Sequence, residues 1–361
     1  MIGSNIFYAT PETVISLIKV LTLGASAFIL AFLLANPLIK SLYKYKLWRK
    51  EVRKEALGGG NLPVFQKFHS QGEIQIPRFG GILVLATPLI LASLFYIFSR
   101  SDIWFFQKLN FLSRSQTWLP LFALGTAALV GLADDFLQVL GKGKHDGGGL
   151  NLRHRLLLMA FIGLAGGWWF FEKLGWSTIH IPGNGDIYIG SLYIPFFVLV
   201  TMATYSGGVI DGLDGLAGGA FAFIFGAFSA IALFLGQVDI AAFSAIIFGT
   251  LLAFLWFNIP PAKFYMGETG IMGLTSALTV IAFLTDSVVV LPIIGILLVA
   301  ESWSVITQLL SKKIRKKKIL MAAPLHLHLE AKGWPHYQIT MRFWIIGIIA
   351  AVIGVSIRLL G

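Results

Sequence analysis

The chain has 361 residues, 57% of them hydrophobic and 12% charged, with a mean hydropathy of +0.80. Soluble domains carry about 25% charged residues, so an ordinary water-soluble fold is excluded. Lys and Arg number 28 against 17 Asp and Glu, a net charge of +11, and cysteine is absent, which removes disulfides, thiolate metal sites and a cysteine nucleophile. The basic residues lie between apolar runs and not on an aromatic-studded face, so they suit anionic lipid and anionic substrates, not nucleic acid.

The first apolar run, 14–39, is too long for a signal-peptide core and lacks a basic leader, so it reads as a transmembrane helix. Further runs follow at 81–98, 118–133, 156–171, 192–205, 216–235, 240–257, 270–285, 288–310 and 343–360. Several fall short of the roughly 20 residues that cross a ~30 Å hydrocarbon core and contain Gly or Pro. The expected fold class is all-α: a polytopic membrane protein of about ten transmembrane helices, one domain over 1–361, without repeats or linkers.

Lys and Arg set the orientation. Nine fall between Lys40 and Arg78 (Lys40, Lys44, Lys46, Arg49, Lys50, Arg53, Lys54, Lys67 and Arg78). Lys142, Lys144, Arg153 and Arg155 follow the third run, and Lys312 to Lys318 holds six more, a basic tract suited to anionic lipid. Intervening loops are sparse, the noisiest carrying Arg100, Lys108 and Arg114. The rich loops are therefore expected in the cytoplasm and both termini outside.

Glu12, Asp102, Asp186, Asp239 and Asp286 are scattered one to a loop on the expected outer side and call for no special role. The cytoplasmic side collects Asp134 and Asp135 in "VGLADDFLQV", Asp211 and Asp214 in "GVIDGLDGLAGG", Glu268 in "FYMGETG", and His326 and His328 in "APLHLHLEAKGW". Taken singly, each has a plain alternative. The aspartates can be solvated or cap a helix near Leu216, Asn258 can cap a helix end, and Glu301 can be a hydrogen-bonded packing residue. The i, i+3 spacing of Asp211 and Asp214 places both on one helical side, and alternation places both histidines on one side of an extended loop. Five carboxylates in one volume repel by about 4 kcal/mol per pair at ~4 Å and an effective dielectric near 20. A divalent cation relieves this, and oxygen-only ligands favour magnesium or manganese with phosphate completing the shell. The chemistry indicated is phosphoryl transfer.

The segments "PRFGG" (77–81), "ADD" (133–135), "DGLDGLAGG" (211–219), "LWFN" (255–258), "FYMGETG" (264–270) and "APLHLHLEAKGWPHYQITMRFW" (323–344) resemble the polyprenyl-phosphate N-acetylhexosamine-1-phosphate transferase superfamily. Within it they are most similar to the phospho-N-acetylmuramoyl-pentapeptide transferases. The resemblance implies ten spans and an active site in the cytoplasmic loops 40–80, 134–155, 206–215, 258–270 and 311–342 of a protein in the bacterial cytoplasmic membrane. It implies magnesium-dependent transfer of phospho-MurNAc-pentapeptide from UDP to undecaprenyl phosphate, giving lipid I and UMP for peptidoglycan synthesis, commonly by a homodimer. Carried over by position, Asp134 and Asp135 orient or deprotonate the lipid phosphate, and Asp211 and Asp214 lie near metal and nucleotide. Asn258 and Tyr265 serve the uracil, Glu268 with Asp211 holds magnesium, and His326 and His328 contact the donor.

Four positions depart from the pattern: Glu268 replaces an aspartate, Leu327 the middle histidine, Gly208 an asparagine, and Gln138 a lysine after the aspartate pair. Lys142, Arg153 or Arg155 would supply the missing cation. The competing readings are a sister transferase using UDP-N-acetylglucosamine, against which the histidine loop argues, a secondary transporter, and an inactive scaffold. A transporter would carry its acids near the membrane midplane, whereas here only Glu301 lies inside a span.

Overall fold

The computed structural model describes residues 10–50, 52, 66, 74–113, 116–142 and 148–361. Arg53, Lys54, Lys67 and Lys144 of the basic loops lie outside the described residues. In chain order the elements are α1 (Pro11–Lys44), α2 (Gly81–Phe98), α3 (Trp104–Leu109), α4 (Trp118–Val139), α5 (Leu152–Trp168), β1 (Thr178–Ile181), β2 (Gly185–Tyr188), α6 (Tyr193–Ser206), α7 (Leu216–Phe234), α8 (Val238–Asn258), α9 (Gly267–Leu284), α10 (Leu291–Ile294), α11 (Ile296–Arg315), α12 (Leu325–Ala331) and α13 (His336–Leu360).

Helix dominates because backbone groups facing hydrocarbon must be satisfied within their own segment. Among the described residues nine helices are long and apolar enough to cross a membrane, and the fold is an all-α polytopic one. The ninth expected span, 288–310, forms in two pieces, α10 and α11, with Gly295 between them. Glu301, Lys312, Lys313 and Arg315 make α11 too charged to join the nine. The sequence reading also missed the antiparallel hairpin of β1 and β2, although Asn184-Gly185 at its tip is turn chemistry.

Helix α9 is the axis. Its span is 94% buried inside protein, against 22% for α1, α5 and α13, so lipid meets the outer helices and α9 meets only protein. It packs chiefly on α4, with α2 and α6 also against it. Buried Thr279 on α9 pairs with Thr204 on α6 at 2.8 Å, a polar contact across helices of the kind that stabilises association in lipid. Gly131 allows α4 to close on α9, since a Cβ there would collide with the Glu268 carbonyl oxygen.

Helix boundaries, more than helix existence, position the chemistry. Helix α4 runs six residues past the apolar run that ends at 133, so Asp134 and Asp135 lie inside its last two turns. Helix α9 begins three residues before its run, which puts Glu268 in its first turn. Arg153 and Arg155 occupy the first turn of α5, not a loop.

Candidate active site

The site is built around the N-terminus of α9, whose first N–H groups have no intrahelical acceptor. The Gly267 N–H donates to Asp211 Oδ2 at 3.2 Å, the Glu268 N–H to Asp135 Oδ1 at 3.0 Å, and the Thr269 N–H to Asp135 Oδ2 at 2.9 Å. The Thr269 hydroxyl adds a bond to Asp135 Oδ2 at 2.7 Å. Two carboxylates from distant segments thus cap one helix at its positive end, where anions are favoured. The approach is fixed by a short ladder: Tyr265 N–H to Pro77 O at 2.7 Å, Gly80 N–H to Tyr265 O at 2.8 Å and Gly81 N–H to Met266 O at 2.9 Å. "PRFGG" and "FYMGETG" are therefore direct neighbours.

Asp134, one residue before the cap, is fully buried and faces the other way. It accepts from the Leu150 N–H and from Gln138 Nε2, the latter at 2.7 Å, and lies 3.4 Å from Arg155 Nε. Arg155 Nε also donates to the Leu150 carbonyl at 3.0 Å, and its Nη1 is ion-paired with Glu268 Oε1. The Tyr205 hydroxyl donates to Glu268 Oε2 at 3.2 Å. Arg155 thus supplies the positive charge that the acid cluster demands. Gln138, standing where the family pattern has a lysine, passes its other end to a buried cation: its Oε1 accepts from Arg49 Nε at 3.0 Å and from Arg49 Nη2. The charge absent from position 138 is thereby set one side chain further back.

The 211–219 loop corrects one reading. Asp211 and Asp214 do not share a helical side, because the 3-10 turn ends at Ile210 and Asp211 takes a non-helical ψ of 58°. Asp211 reaches Gly267, whereas Asp214 Oδ2 accepts from the Ala262 N–H at 3.0 Å. Neither caps α7, whose preceding residue, Gly215, donates its N–H to Asn258 Oδ1 at 3.0 Å. Asn258 is buried and its Nδ2 donates to Phe264 O at 2.8 Å, so its amide clasps two loops at once. Helix α13 holds the same loop through Thr340 Oγ1 to Asp214 O and Trp344 Nε1 to Gly215 O, both at 3.2 Å.

The histidines also differ from the extended-loop reading. "LHLHLEA" forms α12, where i and i+2 point to opposite sides. His326 turns inward: its Nδ1 lies 3.0 Å from Glu301 Oε2 and its N–H donates to Glu301 Oε1 at 3.2 Å, both residues being buried. Its Nε2 faces Gly212, where a Cβ would collide with it. His328 points away and accepts from the Met321 N–H at Nδ1, 3.2 Å. Burial, with the Lys332 charge adding to it, holds its imidazole below the usual histidine range.

Lys142 and Arg153 are exposed, apart from the acids, and Tyr265 is half-buried with its backbone fixed in the ladder. Arg49, Tyr205 and Thr269 are the contributors that sequence reasoning did not single out. Only Thr269 carried a signal, as the hydroxyl beside Glu268. Glu268 and Asp211 bring oxygen donors alone from either side of Gly267, a pair suited to a hard divalent cation whose shell water and substrate phosphate complete. They form no protein cage by themselves. Among the described residues, the three side chains spaced for an ion are His180, Asp186 and Asp286, at the far end of α9.

Residues 117–286 match glycosyl transferase family 4. The chain is 33% identical to a phospho-N-acetylmuramoyl-pentapeptide-transferase of Anoxybacillus flavithermus, over 92% of this chain and 95% of the relative. It is 32% identical to the one of a Geobacillus strain (92% and 97%) and 30% identical to that of Chloroflexus aurantiacus (95% and 90%). With full-length similarity of this order, and with the acid segments gathered at one helix terminus, the chain belongs to the phospho-N-acetylmuramoyl-pentapeptide-transferase family.

Proposed function

We propose that this protein transfers phospho-MurNAc-pentapeptide from UDP-MurNAc-pentapeptide to undecaprenyl phosphate, forming lipid I and UMP for peptidoglycan synthesis. The observation that carries the reading is the joint capping of α9 by Asp135 and Asp211, which sets Asp134, Arg155 and Glu268 around the same turn. The protein lies in the bacterial cytoplasmic membrane with this turn facing the cytoplasm and both termini outside, and it works as a homodimer.

An oxygen of the lipid phosphate attacks the sugar-bearing phosphorus, the P–O bond to UMP breaks, and UMP leaves with the electron pair. Glu268 and Asp211 would hold magnesium, which would supply charge screening for the diphosphate and for the leaving group. Arg155 faces that charge with its Nη end, and phosphate can take over the contact that Glu268 makes with it. Asp134 is buried with both oxygens engaged, so its role is to aim Arg155. Glu301 fixes His326, whose Nε2 borders the Asp211 loop on the donor side. Asp214 and Asn258 keep that loop in register, and Tyr265, Lys142, Arg153 and His328 line the nucleotide approach.

The test is UMP release by detergent-solubilised protein given undecaprenyl phosphate, magnesium and either UDP-MurNAc-pentapeptide or UDP-N-acetylglucosamine. Magnesium-dependent release with the muramoyl donor alone is expected. Release only with the other donor, or none with either, overturns the proposal.

A further inference from the structure

The acids expected to lie scattered on the outer side do not all do so. Asp239 pairs with Lys19 at 2.7 Å, but Asp186 and Asp286 converge on His180. The β1–β2 register sets His180 directly opposite Asp186, with Nδ1 2.8 Å from Asp186 Oδ1. From the turn after α9, Asp286 Oδ1 accepts the His180 N–H at 3.2 Å, which holds its carboxylate in place. One donor atom from each of the three residues lies within 4.8 Å of the other two.

The ring's second nitrogen makes this more than a cross-strand pair. Nε2 lies 3.3 Å from the Gly361 carbonyl oxygen, an atom that can only accept. A neutral imidazole has one N–H. With its proton on Nδ1 the ring donates to Asp186 at 2.8 Å; with its proton on Nε2 it faces Gly361 as a donor, and Nδ1 then presents to the two carboxylates a lone pair that can ligate a cation. A metal-bound histidine ordinarily donates its free ring N–H to a main-chain or carboxylate oxygen, and Nε2 is placed to do so toward Gly361.

We infer that His180 Nδ1, Asp186 and Asp286 form a binding site for a divalent cation of the zinc class, about 27 Å along the α9 axis from Glu268 at 1.5 Å per residue. One nitrogen and two carboxylate oxygens suit zinc and its first-row neighbours better than magnesium or calcium. Tetrahedral zinc with bonds of about 2.1 Å spaces its donors about 3.4 Å apart. Asp186, whose side chain is 60% exposed, is free to shift and open its 2.8 Å contact with Nδ1 to that spacing. Bound there, the ion ties the hairpin between α5 and α6 to the turn between α9 and α10. Three protein ligands leave a fourth position for water.

The experiment uses full-length, tag-free protein in detergent, stripped with a chelator and titrated with Zn²⁺ against a chromogenic competitor, with Co²⁺ absorption as a second probe. One Zn²⁺ per chain is expected, with an unfolding midpoint that rises with zinc concentration and no displacement by equimolar Mg²⁺. His180→Gln and Asp186→Asn should each weaken binding at least tenfold, whereas Glu268→Gln should not. Asp186→Asn alters an exposed carboxylate, so its metal-free midpoint should match the parent and separate lost ligation from lost folding. Absence of saturable zinc binding, binding undiminished in both hairpin variants, or binding lost only in Glu268→Gln would overturn the inference and leave a hydrogen bond between His180 and Asp186. None of these outcomes depends on transferase activity.

Discussion

The two ends of α9 meet their acids differently. At the first turn, Asp135 and Asp211 accept backbone N–H groups, Asp134 sits among Gln138, Arg155 and the Leu150 N–H, and Glu268 is paired with Arg155. At the last turn, Asp286 accepts one N–H and Asp186 faces only an imidazole. The first end neutralises its charge with donors that belong to the chain, so what remains open is the partly exposed edge of Glu268 with Arg155. The second end sets two carboxylates around one ring, with Arg358 as the cation near Asp286. Clustered acids are therefore no sufficient sign of a cation; the donors already opposite each oxygen have to be counted.

The comparison breaks most visibly at Glu268. Glu268→Ala should lower UMP formation by about 10³-fold or more, as removal of a group that stabilises transition-state charge does, while Glu268→Asp should keep most of it. Steady-state UMP assays of both variants check this, and an active alanine variant would remove Glu268 from the metal assignment. Asp135→Ala should act on the fold, leaving two helix N–H groups and a buried hydroxyl without their acceptor. A loss of about 3 kcal/mol is expected from denaturant unfolding in detergent, against no more than about 0.5 kcal/mol for Asp186→Asn at the exposed hairpin.

Arg49 tests whether the charge behind Gln138 matters. Arg49→Ala should reduce turnover about tenfold, and Gln138→Lys added to it should recover much of that loss by restoring a cation beside Asp134. A purely structural Arg49 would show no such rescue in a double-mutant cycle. The smallest effect belongs to His328, which accepts from the Met321 N–H away from the acids. Its folded ring resists protonation, so the native state binds fewer protons than the unfolded chain. That stability is present above the unfolded value near 6.5 and declines as pH falls through it. His328→Gln should flatten the midpoint between pH 7 and 5, as measured by thermal unfolding.

Much of the site was legible because its residues sit in short, Gly-flanked polar segments between apolar runs. What misled was local geometry. His326 and His328 read as neighbours at a period of 2, but "LHLHLEA" after Pro324 is helical, and a period of 3.6 sends one to Glu301 and the other to the Met321 N–H. Asp211 and Asp214 read as one face of a helix that ends before them. Arg155 was one of three candidate cations, and nothing in the sequence separates it from exposed Arg153. Two residues apart on α5, they face different ways, and only the packing of that helix decides which meets Asp134.

Composition alone determined that this chain lies in lipid as helices, because a polypeptide this apolar has to satisfy its backbone within each span. Charge placement and the spacing of acids between spans determined which loops carry chemistry. Only the tertiary structure decided which helix became the axis, which acids cap it, and which face its partners. Those outcomes depend on close approaches such as Gly131 against Glu268 and on hydrogen bonds across more than 100 residues, such as Asp135 to Thr269. Sequence periodicity reports the face of a helix, and the neighbour that face will meet is set by packing.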